Sequence, residues 1–119
     1  MATPSNQAAW LNKAGTPLEI RDAPMPKPGS GEIVVRNAAV AMNGVDNWML
    51  GAGVFIKQWP AVIGNDIAGI IYDIGSDVQR FKKGDRVVGL VKSSCISLSS
   101  LAPNHRCSCR DKALFKYST

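Results

Sequence analysis

The stretch from Pro60 to Leu90, PAVIGNDIAGIIYDIGSDVQRFKKGDRVVGL, leaves this chain the fewest ways to fold. Ile67 to Tyr72 and Val87 to Leu90 are apolar, β-rich runs, and Gly75-Ser76-Asp77 and Lys83-Gly84-Asp85 are turn signals that punctuate them. Consecutive short strands joined by tight turns make a piece of a small β-barrel. The rest of the chain is consistent with that core.

Gln7 to Asn12 reads as a first strand and Leu18 to Arg21 as a second, with Gly15-Thr16-Pro17 as the turn of an antiparallel hairpin. Ala23 to Gly31 holds three prolines and two glycines, so it is an extended connector that cannot sit within a sheet. Its prolines do not match the spacing of a polyproline recognition motif. Glu32 to Met42 is the longest β-like run, and its weak alternation implies burial on both faces over part of its length. Gly44 to Ala52 follows as a short helix with Asp46 as an early acidic residue. Val54 to Ala61, containing Trp59-Pro60, is an irregular connector, and no internal repeat is present.

Composition divides the chain near residue 91. Residues 1–90 carry nine Lys/Arg and eight Asp/Glu, whereas residues 91–119 carry five Lys/Arg against Asp111 alone. Of the formal net charge of +5, +4 therefore belongs to the tail, and the charge is not a nucleic-acid signal of the whole chain. All 11 glycines lie at or before Gly89, while Cys95, Cys107, Cys109 and His105 all lie after Val91. We expect two segments, an ordered domain over 7–90 and a disordered, basic, Ser/Cys-rich tail over 91–119, with a turn of helix at most from Asp111 to Tyr117. We expect a frameshift, retained intron or mispredicted gene end behind so abrupt a change, and with it a truncated domain with unpaired strand edges and poor solubility. The first residues are too polar for a signal peptide, and no apolar run approaches the ~20 residues of a membrane helix. The expectation is a cytoplasmic protein with no membrane partner.

Several ordered motifs over residues 7–90 together resemble the N-terminal, GroES-like domain of the medium-chain dehydrogenase/reductase superfamily. The proline-rich connector followed by Gly31-Glu32-Ile33-Val34-Val35 is similar to that family's Pro-Gly-x-Gly-Glu-Val-Leu-Val segment. Asn43-Gly44-Val45-Asp46 resembles the Asn-Pro-Val-Asp of its quinone oxidoreductase branch, and Gly64-Asn65-Asp66 and Phe81 to Val87 follow in the family's order. The resemblance implies a mainly β fold, a partly open barrel with one short helix. It also implies an NADPH-dependent reductase of small carbonyl, enone or quinone substrates, with no specific nucleic acid.

Zinc-dependent members of that superfamily hold their metal through Cys and His. The corresponding positions here are Asn43 and Asn65, and residues 1–90 contain neither Cys nor His, so the resemblance points to the zinc-independent quinone and enoyl reductase branch. Cys95, His105, Cys107 and Cys109 lack the spacing of a structural zinc site and read as reduced thiols. Asn43, Asp46, Asn65 and Asp66 are the candidates to line the cleft or touch the cofactor. Each also has a plain structural reading: Asn43-Gly44 as a turn, Asp46 as a helix N-terminal charge, Asn65 and Asp66 as partners that close a strand. Some enoyl reductases use a tyrosine after the short helix, but Ala52 to Trp59 holds Phe55 and no tyrosine, so no general acid is named. Gly51-Ala52-Gly53 lacks the third glycine of a dinucleotide fingerprint and reads as the helix end, which leaves the cofactor domain absent. Two competing readings are a small barrel presenting a basic tail to RNA or an acidic partner, and a co-chaperonin, for which no long mobile loop is present.

Overall fold

The computed structural model describes residues 6–90 and, in the tail, the backbone of residues 105–110 and 114–116. The hairpin forms as expected. β1 (Gln7–Leu11) and β2 (Glu19–Asp22) pair antiparallel with Trp10 opposite Glu19 and Gln7 opposite Asp22. The turn between them is held by Thr16, whose N–H and Oγ both donate to the Lys13 carbonyl, at 3.2 and 2.7 Å. β4 (Ala61–Val62) pairs with the other edge of β1, giving a three-stranded sheet in the order β2-β1-β4.

The second sheet is built on β3 (Glu32–Ala41), β5 (Asp66–Ile74) and β6 (Arg86–Leu90), with β5 at its centre. Two register shifts in the β3–β5 pairing, at Val34/Val35 and Asn37/Ala39, explain the weak alternation of β3. They let Ile33, Val34 and Val35 all be buried, because a bulge offsets the period of two that would turn alternate side chains outward. The turn at Lys83-Gly84-Asp85 folds back on β5, with Gly84 N–H donating to Ile71 O and Ile71 N–H to Asp85 O, both at 2.9 Å. The earlier turn is tied to the proline connector: Ser30 Oγ donates to Asp77 Oδ2 at 2.6 Å and Gly31 N–H to Ser76 O at 2.7 Å.

Two tail segments depart from the expected disorder. β7 (His105–Arg110) pairs antiparallel with β3, and β8 (Leu114–Lys116), where at most a turn of helix is expected, pairs with β6. The second sheet thus runs β7-β3-β5-β6-β8, and the edges of β3 and β6 are not left open as the sequence suggests. Neither segment contains a β-branched residue, and the pairing arises from the edges on offer rather than from local preference. The rest of the expected low-order tail, with the RNA-binding reading that depends on it, lies outside the described residues. The two sheets do not close into a single barrel, in keeping with the partly open barrel expected.

Two cores result. Ile33, Val35, Ile67, Ile71, Phe81 and Val87 fill the inner face of the larger sheet, and Leu11, Met49 and Ile63 pack between the smaller sheet and α1 (Gly44–Ala52). Each such side chain contributes about 1.5–3 kcal/mol on burial. The helix has the two turns expected and ends where expected. Gly53 takes a left-handed φ of 69° and donates its N–H to Met49 O at 3.0 Å.

At the surface, Lys83 Nζ lies 2.6 Å from Asp73 Oδ1. This contact, with the Ile74 N–H at 3.0 Å, holds the Asp73 carboxyl below its ordinary value of 3.8. A lowered folded-state value means that the contribution to stability is present above the unfolded value and is lost as pH falls through the folded one. In Lys83→Ala the Asp73 titration midpoint, followed by NMR, is expected to move up toward 3.8. The pair is exposed, so the accompanying loss of stability is expected to stay below about 1 kcal/mol.

Candidate functional site

The N-terminus of α1 and the start of β5 meet, and all four sequence-derived candidates sit at that junction. Asn43 is the N-cap, with extended backbone at φ −120° and ψ 164°. Asp46, three residues later, reaches back so that Asn43 N–H donates to its Oδ2 at 2.8 Å, one arm of a capping box. The Asn43 side-chain Nδ2 donates to Asp66 Oδ2 at 2.6 Å. Asn65 closes the network, its Nδ2 donating to Asp46 Oδ1 at 3.3 Å. Two amides therefore each engage one carboxylate, and together they tie the helix to the strand through side chains alone.

Burial separates the four. Asp46 is fully buried at 0% exposure, Asn65 and Asp66 are half-buried, and Asn43 is exposed. Asp46 is thus enclosed at the junction, where the other three keep exposed surface. A buried carboxylate must be hydrogen-bonded, and here the backbone of Asn43 and the side chain of Asn65 supply the donors. Asn43 keeps a second Nδ2 hydrogen beyond the bond to Asp66, and Asn65 retains its Oδ1. What the site offers is thus two amides, each oriented by a carboxylate, Asn65 by the buried Asp46 and Asn43 by the half-buried Asp66.

Beyond the cap, the helix and the turn after it carry large exposed rings. Trp48 and Phe55 are each 66% exposed. Phe55 has φ 65°, a left-handed backbone that a bulky residue rarely adopts, within a turn closed by Ile56 N–H to Gly53 O at 3.2 Å. No periodicity argument finds such a residue, because its signal is a backbone angle and not a pattern. Ser, Cys and His nucleophile or base pairs are absent from the described residues of the junction, and no group of three or more His, Cys, Asp and Glu able to hold a metal ion occurs among the described residues.

Comparison with known proteins assigns the domain. Residues 29–114 match the alcohol dehydrogenase GroES-like domain family. The chain is 61% identical over 89 residues to the dehydrogenase orsE of Emericella nidulans, covering 75% of this chain and 25% of that protein. It is 42% identical over 90 residues to the trans-enoyl reductase himH of Aspergillus japonicus, covering 75% and 26% respectively. Among solved structures, the quinone oxidoreductase of Escherichia coli complexed with NADPH superposes with a TM-score of 0.77 at 21% identity, over 94% of this chain and 33% of that one. The chain spans about a quarter of the length of these curated relatives. Its two-sheet fold, its helix position and its matched residues make it a member of the alcohol dehydrogenase GroES-like domain family, similar to the N-terminal portions of dehydrogenases and enoyl reductases.

Proposed function

We propose that residues 7–90 form the substrate-side wall of an oxidoreductase that reduces the carbonyl-conjugated double bond of an enone or enoyl group, or a quinone, by hydride transfer. NADPH, when bound by a separate nucleotide domain, supplies the hydride. The observation that carries this reading is the convergence of Asn43, Asn65 and Asp66 on the outer side of one junction, with Asp46 behind them. In this reading Asn43 and Asn65 hydrogen-bond the polar edge of the ligand through the amide atoms that the carboxylates leave unused. Asp66 fixes the Asn43 amide and Asp46 fixes that of Asn65, so neither amide has to reorient when a ligand arrives, which is the basis of electrostatic preorganisation. The relatives named as a trans-enoyl reductase and an NADPH-complexed quinone oxidoreductase support the reaction class and the cofactor.

The proposed site works without zinc. A zinc ion takes thiolate, imidazole or carboxylate donors; the side chains at 43 and 65 are amides, and each directs an N–H at a carboxylate that a metal would otherwise use. The residues present do not fit the ion, and no step is assigned to it. Residues 7–90 carry no dinucleotide fingerprint, and hydride transfer is proposed to require a nucleotide domain beside them.

A chimera tests the reading. Residues 7–90 replace the matching N-terminal region of the orsE dehydrogenase, and reduction of enones and quinones is followed by NADPH oxidation. The expected result is activity that persists after chelator treatment and falls about a hundredfold in kcat/KM in Asn43→Ala or Asn65→Ala. A folded chimera that binds NADPH but reduces neither class, or that keeps full activity in both variants, defeats the proposal.

A further inference from the structure

The junction also contains a reactive backbone. The sequence has a single Asn-Gly step, Asn43-Gly44, and it falls at the N-cap of α1. We propose that Asn43-Gly44 is a spontaneous deamidation site and that the hydrogen bond from Asn43 to Asp66 governs its rate.

In the reaction the Gly44 backbone nitrogen gives its proton to solvent base and attacks Asn43 Cγ. The new N–Cγ bond closes a succinimide as the Cγ–Nδ2 bond breaks and ammonia leaves. Water then opens the ring at either carbonyl, leaving aspartate or isoaspartate at position 43. The net change is water in and ammonia out, with no change of oxidation state.

Three features favour attack. Asn43 is exposed, so water and base reach it. Gly44 carries no side chain to screen its nitrogen, it is itself exposed, and even a Cβ built there would meet nothing within 4 Å. As the first helical residue, Gly44 has an N–H without an intrahelical acceptor. Two features oppose it. The ψ of 164° at Asn43 holds the Gly44 nitrogen away from Cγ, and the 2.6 Å bond from Nδ2 to Asp66 Oδ2 retains the group that must leave. The folded junction is therefore a brake on a sequence that is intrinsically fast. Once the product forms, a carboxylate faces Asp66 where an amide now donates, and the link from α1 to β5 becomes a like-charge repulsion.

The 119-residue chain, incubated in mildly alkaline buffer and followed by intact mass and peptide mapping with isoaspartyl labelling, provides the test. The expected product is about one mass unit heavier, and the change maps to Asn43 ahead of Asn65 or Asn12. Asp66→Ser is expected to accelerate it about tenfold, the worth of one charge-assisted hydrogen bond, bringing it close to the rate in urea. Gly44→Pro is expected to abolish it. Because Asp66→Ser could disturb the strand, Asp66→Asn, which keeps an acceptor oxygen without the charge, is measured alongside and should show a smaller acceleration. Modification that begins elsewhere, or equal rates in wild type, Asp66→Ser and Asp66→Asn, overturns the proposal.

Discussion

Replacing Gly69 by alanine is expected to abolish folding of the larger sheet, with a cost of about 4 kcal/mol or more against a total of roughly 5–15 for a domain of this kind. Gly69 is buried at the centre of β5, opposite Asn37 on β3 and Val87 on β6. A Cβ at this position would press into the Arg36 carbonyl oxygen and lie 2.9 Å from both the Arg36 carbonyl carbon and Val35 Cγ1. The obstructing atoms are mainly backbone of a paired strand, so they cannot swing aside as a flexible side chain would. Relief requires β3 and β5 to part where Ile33, Val35, Ile67 and Ile71 meet. Gly51→Ala is the matching control, since a Cβ there meets nothing within 4 Å and the residue is helical; it should stabilise by about 0.5–1 kcal/mol. Urea midpoints and far-UV circular dichroism of the two variants give the comparison. A Gly69→Ala chain with the wild-type midpoint would show that the strands are not apposed this closely.

Removal of the buried carboxylate is expected to have the second largest effect. Asp46→Ala should cost about 2–4 kcal/mol, because three losses coincide. The return arm of the cap disappears, worth about 1 kcal/mol. The Asn65 Nδ2 loses its acceptor on the buried side of the junction, at about 1–3 kcal/mol for an unsatisfied buried group. The negative charge that favours a helix N-terminus goes with them. Asp46→Asn keeps one acceptor oxygen and should lose roughly half as much. Asn43→Ala, at the exposed rim of the same network, should change stability by less than about 1 kcal/mol. Thermal melts that rank the three variants in any other order would mean that Asp46 is not the support of the junction.

The contrast between Asp46 and Asn43 marks the limit of what residue order alone conveys. The strands Gln7–Leu11, Asp66–Ile74 and Arg86–Leu90 and the helix Gly44–Ala52 announce themselves through apolar runs bounded by Gly, Pro and a capping pair, all of them local signals. Asn43, Asp46, Asn65 and Asp66 are legible as candidates through the resemblance of Asn43-Gly44-Val45-Asp46 and Gly64-Asn65-Asp66 to the superfamily's motifs. Their mutual arrangement is not, since Asn43 and Asp66 are 23 positions apart and spacing carries no information on which amide meets which carboxylate. Nor is the depth of Asp46, because an acidic residue in a first helical turn is ordinarily solvated. Phe55 and Asp77 hold positive φ angles without the glycine or asparagine that would mark them. The pairing of His105–Arg110 and Leu114–Lys116 escapes a sequence reading for a further reason: an edge strand is recruited by its neighbour, and its own residues need not favour extension.

The tie between α1 and β5 has an evolutionary consequence. It is made by side chains at element ends, the residue before a helix, the residue before a strand and the first residue of that strand, and of its members only Asp46 is fully buried. Neither hydrophobic cluster includes Asn43, Asn65 or Asp66. Side chains at these three positions can therefore be exchanged without altering either hydrophobic cluster. Heritable chemistry and heritable architecture are carried by separate sets of positions, which is how one scaffold can serve different reactions without passing through a sequence that does not fold.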